Sequence, residues 1–194
     1  MLERIYLSVN YLRFLPHIFV YLLSKNKGII QEDIAAYRDE YQLRGSVVHV
    51  LVHLLTHNTS FRSLYYYRIG KVKWLIQWLG KGINNLTIPP TVEIEGGLLL
   101  FHSYGTILNG KSIGKRCRIV HNVTLGDKKG GVPTIGRYVE ILPNAVITGD
   151  ISIGNNCIIG PGAVVYKSVP DNCVVVGNPA YILKKDGVKV NQKL

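Results

Sequence analysis

The chain has 194 residues, 47% of them hydrophobic, which suits one domain of ordinary size or two small ones with a buried core. Its three cysteines show no metal-ligand spacing, which argues against a disulfide framework and a structural zinc and indicates a reducing cytoplasm. The formal net charge of +11 favours an anionic partner such as a nucleotide cofactor, an acidic glycan or a membrane surface; no nucleic-acid-binding motif accompanies it.

Residues 1–84 are predicted to form an α-helical domain. Apolar residues recur at three- to four-residue spacing through "IIQEDIAAYRDEYQL" and "SVVHVLVHLLTH". The first apolar stretch, Ile5 to Leu23, carries Asn10, Arg13 and Pro16 near its middle, which makes crossing a bilayer costly. A helix packed on its own protein is therefore favoured, and a peripheral contact with the inner face of the membrane is the alternative.

Three histidines in this half are spaced four residues apart, at His49, His53 and His57. That spacing puts them on one helix face, where they could share a metal ion. No acidic or thiol residue in the same stretch completes a ligand set. A helix face in contact with a partner is therefore the favoured interpretation.

From Ile88 onward the hydrophobic pattern repeats every six residues, which neither a helix nor a single strand produces. A six-residue repeat is typical of a parallel β-helix, in which three short strands make one coil, and it predicts this fold for residues 85–182. Residues 183–194 are expected to be a C-terminal tail, and Cys117 and Cys157 to be small interior residues. The predicted interior positions are Ile88, Ile94, Leu100, Ile107, Ile113, Ile119, Leu125, Ile135, Ile141, Ile147, Ile153, Ile159 and Val165.

The stretch "ISIGNNCIIGPGAVVYKSVPDNCVVVGNPAYIL" resembles the left-handed β-helix of the hexapeptide-repeat acyltransferases. The segments "FRSLYYYRIG", "HSYGT" and "VTLG" resemble the serine acetyltransferase branch, and within it the O-acetyltransferases of surface polysaccharide biosynthesis. The resemblance implies acetyl-CoA as the acyl donor, a hydroxylated acceptor, no metal, a cytoplasmic location, and a homotrimer with active sites between subunits.

His102 is the candidate catalytic residue, because the resembled family has at this place a histidine that takes the proton from the acceptor hydroxyl. One coil higher, allowing one extra residue near Thr106, the repeat places His121 in the same column, followed by Pro143, Pro161 and, if the period holds, Pro179. His121 is a second candidate, either beside the cofactor or at a subunit contact. Simple corner geometry is the alternative explanation of the proline column.

The neighbouring column reads Ser103, Asn122, Asn144, Gly162 and Ala180. Small residues along one edge of a prism leave room for a long thin ligand, so this column is the predicted acetyl-CoA site. Gly126 begins a segment, "GDKKGGVPT", that interrupts the repeat by four residues and is expected either to reach a neighbouring subunit or to be a solvated loop. The candidate ligands for the CoA phosphates are Lys128, Lys129, Lys167, Lys184 and Lys185.

The acceptor is predicted from departures from the family pattern. The resembled serine acetyltransferases have an aspartate where Thr87 stands, an acid where Phe101 stands, and an Arg-His pair that "GGVPTIG" lacks. These groups hold the charged ends of the amino acid, so a sugar hydroxyl in capsule or lipopolysaccharide biosynthesis is the favoured acceptor. Glu93, Glu95 or a backbone carbonyl are the candidates for orienting His102.

Three alternative functions stand beside this one. The first is a serine O-acetyltransferase of cysteine biosynthesis. The second is a zinc hydratase that shares the β-helix, which is disfavoured because only His102 and His121 lie in that half of the chain. The third is a scaffold or membrane-bound assembly module without catalysis, which the presence of His102 disfavours.

Overall fold

The computed structural model describes residues 2–194, and their side chains from Ser8 onward. The chain divides into two compact units, Met1–Ile83 and Asn84–Leu194. The first is helical and the second is a parallel β-solenoid. The predicted fold class is therefore confirmed.

The described part of the helical unit contains six α-helices, two of which begin at described capping side chains. Ser46 Oγ accepts from the backbone N–H of His49 at 3.2 Å, and Asn58 Oδ1 accepts from that of Phe61 at 2.8 Å. The helices are α1 (Leu2–Arg13), α2 (Leu15–Leu23), α3 (Lys27–Tyr41), α4 (Val47–His57), α5 (Thr59–Ile69) and α6 (Lys73–Ile76), the last flanked by the 3₁₀ turns Gly70–Val72 and Gln77–Leu79.

The core of this unit is aromatic and encloses one ion pair. Tyr21, Tyr37 and Tyr65 are almost fully buried. Arg68 on α5 donates from Nε and Nη2 to the two carboxylate oxygens of Asp33 on α3, at 2.8 and 3.1 Å. Because both groups are buried, losing either one would leave an uncompensated charge, so the pair locks α3 to α5.

His17 is fully buried in the same core. The Tyr66 hydroxyl donates to Gly80 O and lies 2.9 Å from His17 Nε2, so Nε2 carries the proton of that contact. Burial, with smaller contributions from the charges of Arg13 and Arg62, lowers the pKa of His17 to about 4. The imidazole is therefore neutral in the folded protein at pH 7.

The first apolar stretch forms two helices that meet at the buried residue Phe14. In the part of the chain that the structure describes, no helix has the length and apolar character needed to cross a membrane. The three histidines of α4 do share a face: Tyr11 OH lies 3.0 Å from His49 Nδ1, and the His53 and His57 rings are 4.8 Å apart. Among the described residues they do not belong to any group of three metal ligands.

The solenoid stacks short parallel strands into three sheets. The strands are β1 (Glu93–Ile94), β2 (Leu99–Leu100), β3 (Ile107–Leu108), β4 (Ser112–Ile113), β5 (Arg118–Ile119), β6 (Thr124–Gly126), β7 (Thr134–Ile135), β8 (Glu140–Ile141), β9 (Val146–Thr148), β10 (Ser152–Ile153), β11 (Ile158–Ile159), β12 (Val164–Val165), β13 (Cys173–Val176), β14 (Tyr181–Lys185) and β15 (Val188–Lys193). The sheets run β1-β4-β7-β10, β2-β5-β8-β11-β13 and β3-β6-β9-β12, and the second continues through β14 and β15.

The six-residue repeat predicted the interior correctly except in the first coil. Eleven of the thirteen predicted positions are buried, and Ile88 is half-buried. Ile107 is 42% exposed, and Leu108 is buried in its place, in register with Leu125. All three cysteines are buried, and burial raises the pKa of the Cys117 and Cys157 thiols to about 11, which makes them poor nucleophiles.

The C-terminal residues 183–194, expected to be a tail, continue the sheet instead. β14 and β15 form an antiparallel hairpin in which Lys185 pairs with Val188. Asp186 and Gly187, the two residues between them, have φ values of 49° and 80°, as a type I′ turn requires. The Asp-Gly pair is a strong hairpin signal that the sequence analysis missed.

Candidate active site

His102 lies in a two-residue insertion at the first corner after β2. Two residues more separate Leu100 from Leu108 than separate Ile119 from Leu125 in the coil above. The backbone N–H of Phe101 still donates to Ile119 O, and that of Asn122 donates to Tyr104 O. The extra residues are therefore His102 and Ser103, between these two points of register.

The insertion turns the two side chains to opposite sides. Ser103 is fully buried, whereas His102 is exposed. His102 has a left-handed backbone with φ 46°, and its carbonyl accepts from the N–H of Tyr104 at 2.5 Å. Thr106 Oγ1 donates to Val120 O at 3.2 Å, which ties the far end of the insertion to the next coil.

The predicted stacking of His121 on His102 is wrong. The repeat predicts one extra residue, near Thr106, whereas the structure has two extra residues, at His102 and Ser103. The residue one coil below His121 is consequently Tyr104, which is 51% exposed. The backbone N–H groups of Asn144 and Gly162 donate to His121 O and Pro143 O, so Pro143 and Pro161 do follow in this column. The register of Ile159 with Val175, continued by two residues, brings Gly177 and not Pro179 opposite Pro161.

The neighbouring column begins at Gly105 rather than at Ser103. Asn122, Asn144 and Gly162 follow it, all with positive φ. A Cβ at Gly105 would lie 2.3 Å from Asn122 Oδ1, and Asn122 Nδ2 donates to Asn144 Oδ1 at 3.3 Å. A Cβ at Gly162 would meet nothing within 4 Å. We call this column the asparagine edge; its residues are Gly105, Asn122, Asn144 and Gly162. Its lower residues contact one another, whereas the space beside Gly162 at its upper end is open.

The segment after Gly126 is a tight hairpin and not an extended arm. Lys128 and Gly131 exchange two backbone hydrogen bonds, at 3.0 and 3.3 Å, around Lys129 and Gly130, which both have positive φ. Lys128 Nζ lies 4.9 Å from the centre of the Tyr166 ring. The segment therefore folds back on its own chain, and its contact with a neighbouring subunit stays a prediction.

The structure does not bring the other predicted cofactor residues to the asparagine edge. Gly126 ends β6, in register with Thr148, away from the corner where Asn122 lies. Lys185 pairs with Cys173 at the opposite end of its sheet, and Lys184 pairs with Val174. Lys167 follows β12 at the next corner, where its Nζ donates to Leu194 O at 2.5 Å. The strands between the corners separate these lysines from the edge.

Glu95 also lies at another corner of the solenoid. Its carboxylate accepts from the N–H of Lys115 at 2.9 Å and lies 3.4 Å from Arg137 Nε. Phe101, directly before His102, packs under the Arg118 guanidinium at 4.5 Å, and Arg118 Nε lies 3.8 Å from a Glu140 oxygen. The residue before the predicted base is thus an aromatic ring in contact with a guanidinium, and it is not a carboxylate.

Comparison with known proteins places this solenoid in a family. The family model described as "Bacterial transferase hexapeptide (six repeats)" matches residues 133–167. The serine acetyltransferase of Buchnera aphidicola subsp. Schizaphis graminum is 31% identical over 184 residues, which cover 87% of this chain and 70% of the relative. This chain belongs to the hexapeptide-repeat transferase family.

Other relatives of this chain are also named serine acetyltransferases. The serine acetyltransferase of Synechococcus elongatus is 33% identical over 133 residues, or 66% of this chain, and the chain spans just over half, 54%, of that relative. The structure of Brucella abortus serine acetyltransferase in complex with coenzyme A has a TM-score of 0.66 at 28% identity and covers 84% of this chain and 69% of that one. The Neisseria gonorrhoeae enzyme in complex with serine has a TM-score of 0.65 at 30% identity and covers 79% and 67%.

The comparisons bear on two predictions, the family and the acceptor. The predicted family is confirmed. The relatives reported above are named serine acetyltransferases, so they support the serine alternative better than the polysaccharide branch that the sequence analysis preferred.

Proposed function

We propose that this chain is an acetyl-CoA-dependent O-acetyltransferase in which His102 is the general base. One observation carries the proposal: the two-residue insertion holds an exposed imidazole outside the solenoid, at the foot of the asparagine edge, in a member of a transferase family. The imidazole has no hydrogen-bond or ion-pair partner within the described part of the chain, so its ring nitrogens are open to substrates.

The chemistry requires such a base. An acceptor alcohol has a pKa far above 7 and becomes a good nucleophile only when its proton has a destination. His102 would take that proton as the alcohol oxygen attacks the thioester carbonyl of acetyl-CoA. A backbone N–H would stabilise the oxyanion of the tetrahedral intermediate. The imidazolium would then protonate the departing CoA thiolate, which returns His102 to its neutral state.

The asparagine edge is the proposed binding site of the acyl donor. Gly105 and Gly162 present no side chains, and the two asparagines offer amide groups to the polar backbone of the pantetheine arm. His121 stands beside Asn122 at this edge and is proposed to contact the donor rather than to act as the base. Lys128 lies over the Tyr166 ring, next to Lys167, so the same strands separate it from this edge and it is not proposed for the CoA phosphates.

L-serine is the first acceptor to propose, because the named relatives are serine acetyltransferases and one related structure is described as a complex with serine. The acetylated hydroxyl would be that of the serine side chain. On this proposal the product is O-acetylserine.

A sugar hydroxyl is the second candidate, and a specific observation favours it. Thr87 and Phe101 stand where the resembled serine enzymes carry acids, and the segment "GGVPTIG" carries no Arg-His pair. Without these groups the ammonium and carboxylate of serine lack their expected partners. The aromatic ring next to His102, which packs against the Arg118 guanidinium, supplies no charge of its own, as suits a neutral sugar.

An acceptor screen tests both candidates. Purified protein is supplied with acetyl-CoA, and free CoA thiol is measured with L-serine, with neutral sugars or with nucleotide-activated sugars. Turnover with L-serine supports the first acceptor, and turnover with sugars alone supports the second. The His102→Ala variant is the control for each active acceptor. If no acceptor releases CoA faster than buffer does, the proposed activity is contradicted.

A further inference from the structure

The helical unit ends in a short segment that exposes both tryptophans of the chain. Trp74, Leu75 and Trp78 have 67%, 74% and 72% of their surface exposed, and the neighbouring Val72 has 42%. Ile76, between them, is 6% exposed and anchors the segment in the core. We call Val72, Trp74, Leu75 and Trp78 the tryptophan surface. Large apolar side chains grouped in this way mark an interaction site.

The surroundings of the tryptophan surface are basic. Lys71 and Lys81 are exposed, and Lys73 Nζ lies 5.3 Å from the centre of the Trp74 ring. Between residues 41 and 92 the sequence contains no aspartate or glutamate. Each of these lysines therefore adds to a positive field that no carboxylate in this stretch of the sequence offsets.

The apolar surface continues onto the junction of α1 and α2. Arg13 Nε donates to Leu79 O at 2.5 Å, so this junction lies against the end of the tryptophan segment. Leu12 and Leu15, on either side of that contact, are 74% and 57% exposed. Further along α2 three more large apolar side chains are exposed, namely Phe19, Leu22 and Leu23.

We propose that the tryptophan surface docks the protein on an anionic lipid bilayer. Indole rings settle at the boundary between head groups and acyl chains, where the ring is apolar and its N–H is hydrated. Lysines at the same level meet lipid phosphates while their stems cover apolar surface. A second copy of the chain is a poorer occupant, because a two-fold contact would set Lys71, Lys73 and Lys81 against their own counterparts.

Fluorescence tests the proposal directly, since both tryptophans lie on the proposed surface. The full chain is mixed with vesicles of phosphatidylcholine alone or of phosphatidylcholine with one third phosphatidylglycerol, and bound protein is measured by co-sedimentation. We expect a blue shift of tryptophan emission and co-sedimentation with the anionic vesicles, both weakened by salt. The assay needs no acyl donor, so its outcome is independent of acetyl transfer.

Two sets of variants distinguish binding through this surface from non-specific adsorption to vesicles. Replacing Lys71, Lys73 and Lys81 with Gln should weaken binding on the order of a hundredfold, or about fivefold for each lysine. The Trp74→Ser, Trp78→Ser double variant should also lose co-sedimentation. Tyr138→Ser in the solenoid is the matched control, because Tyr138 is an exposed aromatic residue at 57% and its loss should leave binding unchanged.

Three results would overturn the proposal. The first is equal binding by the parent and the lysine variant with unchanged circular dichroism. The second is a loss of binding in Tyr138→Ser as large as in the tryptophan variant. The third is a blue shift that rises with protein concentration in the absence of vesicles, which would assign the surface to a second copy.

Discussion

At the scale of single residues, the two informative histidines lie in opposite environments. His102 is exposed in an insertion with a left-handed backbone, whereas His17 is fully buried against Tyr66. The first is the proposed general base. The second is kept neutral by its surroundings and contributes to the pH dependence of folding.

His102→Ala is expected to lower acetyl transfer by roughly 10²- to 10⁴-fold, the usual contribution of a positioned general base. The fold and CoA binding should change little, because the side chain lies outside the solenoid interior. Steady-state CoA release and calorimetry with CoA measure the two effects. His121→Ala should cost less and should act mainly on apparent affinity for one substrate; the reverse ranking would mean that His121 is the base.

His17 should make the helical unit less stable in mild acid. Because burial lowers its folded-state pKa to about 4 from 6.5, the unfolded chain takes up a proton at a higher pH than the folded chain does. The free energy of unfolding should therefore fall between pH 6.5 and pH 4, by up to roughly 3 kcal/mol, and this residue should cause no change above that window. Urea unfolding followed by the helical circular-dichroism signal measures it.

The control for this pH effect is His17→Phe, which cannot titrate. The variant gives up the contact with the Tyr66 hydroxyl, so it should be less stable than the parent at pH 7. Its disadvantage should shrink as the pH falls toward 4. A difference in stability that stays constant over the whole range would show that His17 does not titrate in this window.

At the scale of elements, one corner of the solenoid depends on stacked glycines. A Cβ at Gly114 would lie 2.6 Å from the carbonyl carbon of Gly136, and one at Gly136 would lie 2.8 Å from that of Gly154. A Cβ at Gly154 would meet the backbone of Asp171 and Pro170. Because the obstacle is backbone in each case, any side chain at this corner would push two coils apart.

Gly136→Ala is accordingly expected to destabilise the solenoid by about 1–3 kcal/mol, the usual cost of forcing extra volume into a packed site. Gly126→Ala is the matched control, because its Cβ would make only ordinary contacts, at 3.5 Å or more, with threonine methyl groups. Thermal unfolding of both variants by circular dichroism measures the difference. Equal losses would show that the stacked corner can relax.

At the scale of the whole molecule, the solenoid presents apolar side chains on its outer sheet faces. Ile107 and Ile158 are 42% and 37% exposed, and both belong to strands whose other residue points inward. The resemblance to hexapeptide-repeat transferases implies that three such prisms associate. These outer positions are the side chains that subunit contacts would cover.

Light scattering at micromolar concentration is therefore expected to give a mass of about three times 21.7 kDa. Ile107→Ser, Ile158→Ser should shift the mass toward that of one chain if these positions lie at the contact. A stable monomer for the parent protein would contradict the trimer, and with it the prediction of active sites shared between subunits.

The architecture follows from the sequence alone, because both units bury their apolar residues with a fixed period. A six-residue repeat has one structural solution, and eleven of the thirteen predicted positions are interior. The repeat also placed Asn122 and Asn144 in one column, since a repeat turns sequence spacing into spatial stacking, whereas His102 became a candidate through the family resemblance. The hairpin at Asp186 and Gly187 could also have been predicted from the sequence, because that pair favours a type I′ turn locally.

The position at which the repeat is broken becomes visible in the folded chain and not in the sequence. An insertion can be absorbed anywhere between two strands, and the hydrogen bonds to Ile119 and from Asn122 show that it falls at His102 and Ser103. The same pairing separates Lys167 and Lys185 from the asparagine edge, because a corner's neighbours depend on which strands lie between them. The sequence could not predict the exposure of Trp74 and Trp78 either. A hydrophobic period shows which face of a helix is apolar but not whether another element covers that face.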